Sequence, residues 1–388
     1  MRRLVMGLVT CLWACGDNQI GSLGIRPDTG FAPAPHAPLP TVKPHTGTVL
    51  SAMQLVTVTY AGYAADDVIA FGDALVASNW YETTGAEYGV LPATHREQVV
   101  LPAPTEPLGR ARIAAQIAEL ITADNAIVAD AVASNAVAAD VIDGNGTPAN
   151  VAGNQLLYLL YVPHSVALGA DLAGVHGYHQ MLTVGGGRYA IAVVIDDGTS
   201  LAATTMQAAH QVIDAATNPY LPPLDGYYAD PPEKDPWRLL RREVADLCVG
   251  DDAVIEGRFA YPRVYSNIAA VTSMTPCTPV RPGDVYYDVF ADPSQIQTIP
   301  PGGSFQFELT GWSTGPLLAW KVRVRAAASS MLSYEQMRPE FSSDMINNGE
   351  TVTLTLHAPD DAVPGTMGGL EVLSGGNEHL WAVGFVVR

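Results

Sequence analysis

The sequence predicts an α+β protein in two parts, an α/β-like domain with a mixed sheet over residues 50–292 and an all-β domain over residues 293–388. Three observations lead to this prediction. Strand-like and helix-like segments alternate as far as residue 219, which is typical of α/β layers. From residue 294 onwards, short strand-like runs are separated by Gly, Pro and Asn, which indicates a β-sandwich of immunoglobulin-like size. The chain has 388 residues, 48% of them apolar, which suffices for two hydrophobic cores.

The first domain is expected to contain four strands and three helices. Alternating apolar residues indicate strands, and apolar residues spaced by three or four indicate helices. Continuous apolar runs at 156–162 and 189–195 are typical of strands buried on both faces. In chain order the elements are strand 50–60, helix 66–80, strand 87–101, helix 108–122 with an alanine-rich continuation to 142, strand 156–162, strand 189–195 and helix 200–219.

The second domain is expected to be built from short strands alone. Its strand-like runs are 304–309, 318–324, 350–357, 369–373 and 380–387. His357 and His379 stand apart from other candidate ligands, so both are interpreted as structural residues. No cluster of chemically reactive residues is expected in this domain.

The first 15 residues have the pattern of an export signal. Two arginines precede an apolar stretch from residue 4 to 13, which is too short to span a membrane. The sequence LWAC at 12–15 resembles a bacterial lipobox, although tryptophan is bulky for its position. By this resemblance Cys15 would be acylated and would anchor the protein in a bacterial envelope membrane, with the outer membrane favoured. The alternative is an ordinary signal peptide cleaved nearby.

Residues 16–49 are expected to form a tether between the anchor and the folded body. Residues 26–47 are rich in proline and have no apolar period, which is typical of an extended chain. Such a tether would hold the body away from the membrane.

The charge of the chain excludes some classes of partner. It has 39 acidic and 20 basic residues, for a net charge of −19. The acidic residues are dispersed, as on a solvated exterior. Because such a surface repels polyanions, neither nucleic acid nor an anionic membrane surface is expected as an electrostatic partner.

The four cysteines divide into two groups. Cys11 lies in the leader and Cys15 is assigned to the lipid, which leaves Cys248 and Cys277. An exported protein lives in oxidising surroundings, so these two are expected to form a disulfide. The alternative, a thiolate metal site, would need a tighter cluster of ligands.

The helix at 200–219 carries the strongest chemical pattern in the chain. His210 and Asp214 are four residues apart, so they lie on the same helical face and can reach one metal ion. In the zinc-protease pattern H-E-x-x-H, the residue after the first histidine is the glutamate that acts as general base. Here that residue is Gln211, which cannot accept a proton.

Several segments together resemble the bacterial relatives of the Exordium (phosphate-induced) proteins. In those relatives the helix reads S-H-E-x-x-E-x-x-T-D-P and is followed by E-I-x-D-x-C. This chain has AHQVIDAATNP at 209–219 and EVADLC at 243–248. The resemblance covers residues 55–248, and its shorter matches lie at 80–90, 157–163 and 177–179.

The resemblance implies a zincin-like fold for the first domain and a set of site residues. His210 and Asp214 match the first two metal ligands, with Zn²⁺ as the expected metal. Asp246, or failing that Glu243, matches the downstream carboxylate. His176 and His179 lie on a glycine-flanked loop before a strand, for which simple loop polarity is the favoured explanation; the alternative is that they line the same cleft or supply a third ligand.

Three functional interpretations follow. The favoured one is a surface lipoprotein with a degenerate metallopeptidase-like domain that binds metal but is catalytically weak or inactive. The second is a working metallopeptidase that uses another base, for example Glu243. The third is a non-enzymatic envelope binding or adhesion module whose ligand is a peptide or a component of the cell envelope.

Overall fold

The computed structural model of the chain describes residues 30–388 except 46, 64, 134–154, 221–225, 229–233, 241, 251, 273 and 376–378. The predicted signal peptide with Cys15, the first part of the tether, and residues 134–142 of the alanine-rich continuation lie outside the described residues. None of the helices in the described part is long and apolar enough to cross a membrane.

The described residues form six α-helices and twenty strands. The helices are α1 (Asp66–Ala77), α2 (Asn79–Tyr88), α3 (Arg110–Ala133), α4 (Leu201–Thr217), α5 (Asn267–Val271) and α6 (Tyr334–Met337). The strands are β1 (Lys43–Pro44), β2 (Met53–Tyr60), β3 (Ala93–Leu101), β4 (Leu156–Val162), β5 (Gly177–Val184), β6 (Gly187–Ile195), β7 (Tyr227–Tyr228), β8 (Val254–Glu256), β9 (Phe259–Tyr261), β10 (Val264–Tyr265), β11 (Cys277–Thr278), β12 (Tyr287–Asp292), β13 (Gln297–Ile299), β14 (Ser304–Ser313), β15 (Trp320–Ala326), β16 (Glu340–Phe341), β17 (Met345–Ile346), β18 (Thr351–His357), β19 (Met367–Ser374) and β20 (His379–Val387).

The first part of the chain is organised around a five-stranded mixed sheet. Its strand order is β3-β2-β4-β6-β5, and β5 at the edge is antiparallel to its neighbour while the other pairs are parallel. Together with the helices that cover it, this sheet confirms the predicted α+β class. Strand β5 was not expected, because its sequence GYHQMLTV mixes polar and apolar residues and its side chains are mostly half-buried.

The sheet is buried on both faces at its centre, where every residue of β4 is buried. Leu157, Leu159 and Tyr161 face the core that contains α1, α2 and α4. Tyr158 and Leu160 face a second core, which contains α3. A strand between two cores therefore carries a continuous apolar run, as the sequence predicted.

The helix expected at 66–80 is in fact two helices, and the prediction of strand from residue 87 to 92 is wrong. Helix α1 ends at Ala77, and Ser78 then caps α2 by accepting a hydrogen bond of 3.0 Å from the Tyr81 N–H. Helix α2 ends at Tyr88 and is capped by Gly89, whose φ of 70° is a left-handed conformation that glycine adopts readily. Strand β3 begins only at Ala93.

The last part of the chain forms two sheets, with strand orders β12-β14-β18-β16 and β13-β20-β19-β15-β17. Residues from both sheets, such as Phe307, Leu354, Val372 and Phe385, belong to one apolar core. Strand β12 precedes the expected boundary at residue 293 and pairs with β14 in the first of these sheets.

Residues 30–45 lie against the folded body. Ala34, Leu39 and Val42 are buried. The Asn267 side chain holds the main chain of Val42 through two hydrogen bonds of 2.8 Å, and β1 pairs with β7. This described part of the expected tether is therefore packed on the body and is not a free spacer.

Candidate metal centre

Helix α4 carries the predicted motif and lies against the sheet with most of its second half buried. Its first turn is capped by Ser200, whose hydroxyl accepts a hydrogen bond of 3.1 Å from the Ala203 N–H. It ends at Thr217, one residue before Asn218. Because β6 leads directly into this helix, the sheet fixes the position of the whole motif.

His210, Asp214 and Asp246 come together at one point. His210 Nε2 lies 3.1 Å from Asp214 Oδ2 and 3.3 Å from Asp246 Oδ1. One ligand atom from each residue lies within 4.8 Å of the other two, so this group could hold a metal ion. The Asp246 side chain is 33% exposed and that of Asp214 only 2%, so the group is open to solvent on the side of Asp246.

The main chain after residue 242 fixes the two carboxylates. Asp214 Oδ1 accepts a hydrogen bond of 2.9 Å from the Ala245 N–H, which leaves its other oxygen beside His210. Asp246 follows directly and begins a short 3₁₀ helix, Asp246–Cys248. The segment that supplies Asp246 is thus attached to the helix that supplies Asp214.

The charges in this group shift one another's proton affinity. Burial alone would lower the pKa of His210, but the Asp214 and Asp246 carboxylates raise it to about 10. Burial raises the pKa of Asp214 to about 6 against the opposing effect of His210. Burial opposes the ionisation of Asp246, yet its hydrogen bond to His210 lowers its pKa. In the absence of a metal, a protonated His210 therefore balances charge between the two aspartates.

Glu243 and His179 form a second pair beside this group. His179 lies on the edge strand β5, and its Nε2 is 3.3 Å from Glu243 Oε1. The Asn218 side chain also donates a hydrogen bond to Glu243. Burial would lower the pKa of His179, but Glu243 raises it to about 9, with smaller effects from Asp214 and Asp246.

The structure separates His176 and His179, the two candidate cleft histidines. His179 is buried next to Glu243, as described above. His176 is exposed and lies with Asp197 and Met206 in a separate cavity of about 210 Å³.

Gln211, at the position of the missing base, is buried beneath β5. A side chain added at Gly177 would place its Cβ 3.1 Å from Gln211 Cγ and 2.7 Å from Gln207 Nε2. The close approach of α4 to β5 therefore depends on glycine at residue 177. The amide occupies a position where a carboxylate would also be mostly withdrawn from water.

The disulfide expected from the sequence is present. The sulfurs of Cys248 and Cys277 lie 2.06 Å apart. Because Cys248 closes the 3₁₀ helix that begins with Asp246, this bond ties the segment that carries Asp246 to strand β11.

Sequence reasoning missed an ionic group behind Asp246. The Arg242 guanidinium makes two hydrogen bonds, of 2.7 and 2.8 Å, to the Glu371 carboxylate and a third, of 3.2 Å, to the Asp246 carbonyl. Arg325 also donates to Glu371. The available signal was the single acidic residue in the otherwise apolar sequence of β19, but its partner is 129 residues away.

Comparison with known proteins gives no further guide: no protein-family model matches this chain, and no curated protein matches it in sequence.

Proposed function

We propose that this chain is a metal-binding protein with a zincin-like domain that has lost its catalytic base, and that His210, Asp214 and Asp246 hold Zn²⁺. The observation that carries the proposal is the spacing of their ligand atoms, 3.1 and 3.3 Å from His210 Nε2 to the two carboxylates. In a tetrahedral zinc site with bonds of about 2.0–2.1 Å, neighbouring ligand atoms are about 3.3–3.4 Å apart.

The chemistry of the donors supports zinc over harder cations. Mg²⁺ and Ca²⁺ prefer sites made of oxygen ligands alone, whereas imidazole nitrogen suits zinc. Both cysteines of the described residues are bonded to each other, so thiolates do not compete as ligands. Three protein ligands would leave a fourth position for water or a ligand, and a bound Zn²⁺ would act there as a Lewis acid.

The zincin-like assignment is supported by the position of α4. In the zincin pattern the last strand of the sheet lies beside the metal-binding helix, and here β6 leads directly into α4 across the short turn at 196–200. The same proposal includes a relationship to the Exordium family and an immunoglobulin-like fold for the last two sheets. We also propose that a lipid anchor at Cys15 holds the protein on the bacterial cell envelope. Its ligand would be a peptide or a component of the envelope.

A working metallopeptidase is the second candidate, and one observation favours it. The Glu243 carboxylate is 14% exposed, and, after burial, its charge is among the causes that raise the pKa of Asp214, so a second carboxylate lies in the neighbourhood of the metal-binding group. Its ion pair with His179 and the hydrogen bond from the Asn218 side chain both engage Oε1, and they argue for a structural role instead.

The test is the zinc content of the purified protein after exchange against one equivalent of ZnCl₂, measured by inductively coupled plasma mass spectrometry. We expect one zinc per chain in the natural protein and in His176→Ala, since His176 is exposed and lies in a different cavity. We expect none in His210→Ala and strongly reduced binding in Asp246→Asn.

Circular dichroism of each variant shows whether it is folded, and Asp246→Asn is the more conservative of the two changes. A natural protein that holds no zinc under these conditions, or that loses it equally in His176→Ala, would overturn the proposal. The three residues would then form an ionic cluster without a metal.

A further inference from the structure

A second concave site lies at the carboxyl ends of the parallel strands. Strand β3 lies next to β2 on one edge, and β4, which follows β3 in the chain, lies next to β2 on its other edge. The order in which the strands are added therefore changes direction between β2 and β4. Helices cover both faces at this point, α1 in one core and α3 in the other. In open α/β sheets such a change of direction leaves a crevice outside the strand ends, where ligands bind.

A cavity of about 720 Å³ occupies this crevice. It is lined by the loops that follow β2, β3, β4 and β6 and by the first turns of α1 and α4. The volume falls in the range of about 300–1,000 Å³ that is usual for small-molecule sites. None of the residues of the candidate metal centre lines it, and His210 lies about 9 Å beyond Thr204 along the axis of α4.

One carboxylate in the cavity is held in a fixed position. Asp196 Oδ1 accepts hydrogen bonds from the Gly198 N–H at 2.9 Å and the Thr204 hydroxyl at 3.0 Å. Asp196 Oδ2 accepts one of 2.9 Å from the Tyr63 hydroxyl. A carboxylate has about four acceptor positions, so one remains for a donor on a ligand.

The charges around the cavity disfavour an anionic ligand. No lysine or arginine is among the described residues that line it. The acidic residues Asp67 and Glu106 are paired with Arg258 and Arg112, which lie outside the lining. The remaining acidic residue is Asp196, whose carboxylate already accepts hydrogen bonds from three uncharged donors. A neutral ligand group can therefore donate to it, and no cation is required to balance its charge.

The remaining surface combines flat apolar faces with hydroxyl groups. Tyr63 and three prolines supply the apolar faces, and Thr105, Ser165 and Ser200 supply hydroxyls. A sugar ring matches this combination, because its C–H face packs against aromatic and proline rings while its hydroxyls both donate and accept hydrogen bonds. We propose that this crevice binds a neutral oligosaccharide, with a sugar hydroxyl donating to Asp196.

The proposal is tested by isothermal titration calorimetry of the full chain with three neutral probes, chitotriose, cellotriose and maltotriose. We expect at least one to bind. Ser165→Trp should weaken that binding by about tenfold or more, because an indole fills the volume that the sugar ring needs. Ser165 is exposed in a turn, so the change does not disturb the core.

Ser294→Trp is the matched control, because Ser294 is exposed and lies outside the cavity. This variant should bind sugar as the natural protein does. His210→Ala should also leave sugar binding unchanged, so failure of the metal site and failure of this site are distinguishable. No binding of any probe, or equal binding by Ser165→Trp, would overturn the proposal. One further result would overturn it. The natural protein would bind an anionic probe, trigalacturonate, but no neutral probe, and Ser165→Trp would lose the binding of trigalacturonate.

Discussion

Gln211 stands where the zinc-protease pattern H-E-x-x-H has its general base. A carboxylate at this position would take a proton from the attacking water and return it to the leaving amine, whereas a neutral amide can only hydrogen-bond. General acid–base transfer contributes about 10²–10⁴-fold to a rate. The structure adds that residue 211 lies under β5 beside Gly177, so a carboxylate here would be held close to the strand that borders the site.

Restoring the carboxylate should restore activity. We predict negligible peptide hydrolysis by the natural protein and at least about 10²-fold more by Gln211→Glu in a zinc-loaded peptide-library digest, because the change supplies the proton acceptor without altering side-chain length. The double variant His210→Ala/Gln211→Glu is the control and should be inactive. Robust zinc-dependent proteolysis by the natural protein would contradict this prediction and point to another base.

Asp288 is a second residue with a testable ionisation, and it is not a member of the candidate metal centre. It lies in β12 and accepts hydrogen bonds of 3.0, 2.9 and 2.8 Å from the Tyr286 hydroxyl, the Ser374 hydroxyl and the Val289 N–H. Burial raises its pKa to about 6, against the opposing effect of nearby His379. Because the folded pKa exceeds the unfolded value, the protonated form stabilises the fold at low pH, and this contribution is lost as the pH rises through 6.

The free energy of unfolding of the natural protein, relative to Asp288→Asn, should therefore fall by about 2 kcal/mol between pH 4.5 and 7.5. Urea unfolding of both proteins across this range measures the difference. The comparison cancels titrations that the two proteins share. A difference that is flat, or that rises with pH, would show that Asp288 is ionised in the folded protein at low pH.

The sequence identifies some site residues and not others for a physical reason. His210 and Asp214 follow from helical spacing, since four residues along a helix place two side chains on one face. The pairing of His179 with Glu243 does not, because it depends on β5 as an edge strand, and half-buried edge strands lack a clear apolar alternation. Arg242 and Glu371 meet only through the packing of distant segments.

At the level of elements, the segment 242–246 connects the candidate metal centre to the last sheet. Arg242 joins the Asp246 carbonyl to the buried Glu371 of β19. Before this segment, Trp237 packs edge-on against Trp381 of β20, with ring centroids 5.7 Å apart. The position of Asp246 therefore depends on strands that are more than a hundred residues away.

Breaking this connection should cost stability. Glu371→Gln should lower the free energy of unfolding by about 3–5 kcal/mol, because it leaves the charge of Arg242 buried without its partner. Asp252→Asn is the matched control: its pair with Arg281 is exposed on both sides, and removing an exposed pair costs about 0–1 kcal/mol. Equal effects in urea unfolding would show that Glu371 does not stabilise the junction.

The elements that the sequence predicts best are those with one clear period. Strand β4 matches its expected bounds of 156–162, and α4 lies within the expected 200–219. The separation of α1 from α2 was missed because the stop depends on Ser78 capping the second helix, a side-chain hydrogen bond that apolar spacing does not reveal. Strand β5 was missed because its burial depends on α4 lying across it.

For the molecule as a whole, the sequence indicates the two-part α+β organisation but not how closely the parts are joined. One apolar core contains residues of the mixed sheet, such as Leu159, and of the last sheets, such as Val383. The described residues 30–45 contribute Leu39 and Val42 to the same core. The sequence did not predict that residues 30–45 join the core, because the few apolar residues among the prolines show no helical or strand period.

The proposed anchor is tested on the whole protein in a bacterial host. We expect the natural protein in the membrane fraction and Cys15→Ser in the soluble fraction or as an uncleaved precursor, because only a thiol at this position can be acylated. Cys11→Ser should fractionate as the natural protein does. Unchanged membrane partitioning and processing of Cys15→Ser would contradict lipid attachment at this residue.

Metal binding at His210, Asp214 and Asp246 underlies the proposed function, and an anomalous difference map at the zinc absorption edge, from crystals of the zinc-loaded protein, tests it most directly. We expect one strong peak at about 2.0–2.2 Å from His210 Nε2 and from an oxygen of each aspartate. The same map from His210→Ala should show none. A map with no peak between these three residues, or with a peak only elsewhere, such as at the exposed His176, would contradict the assignment of this site.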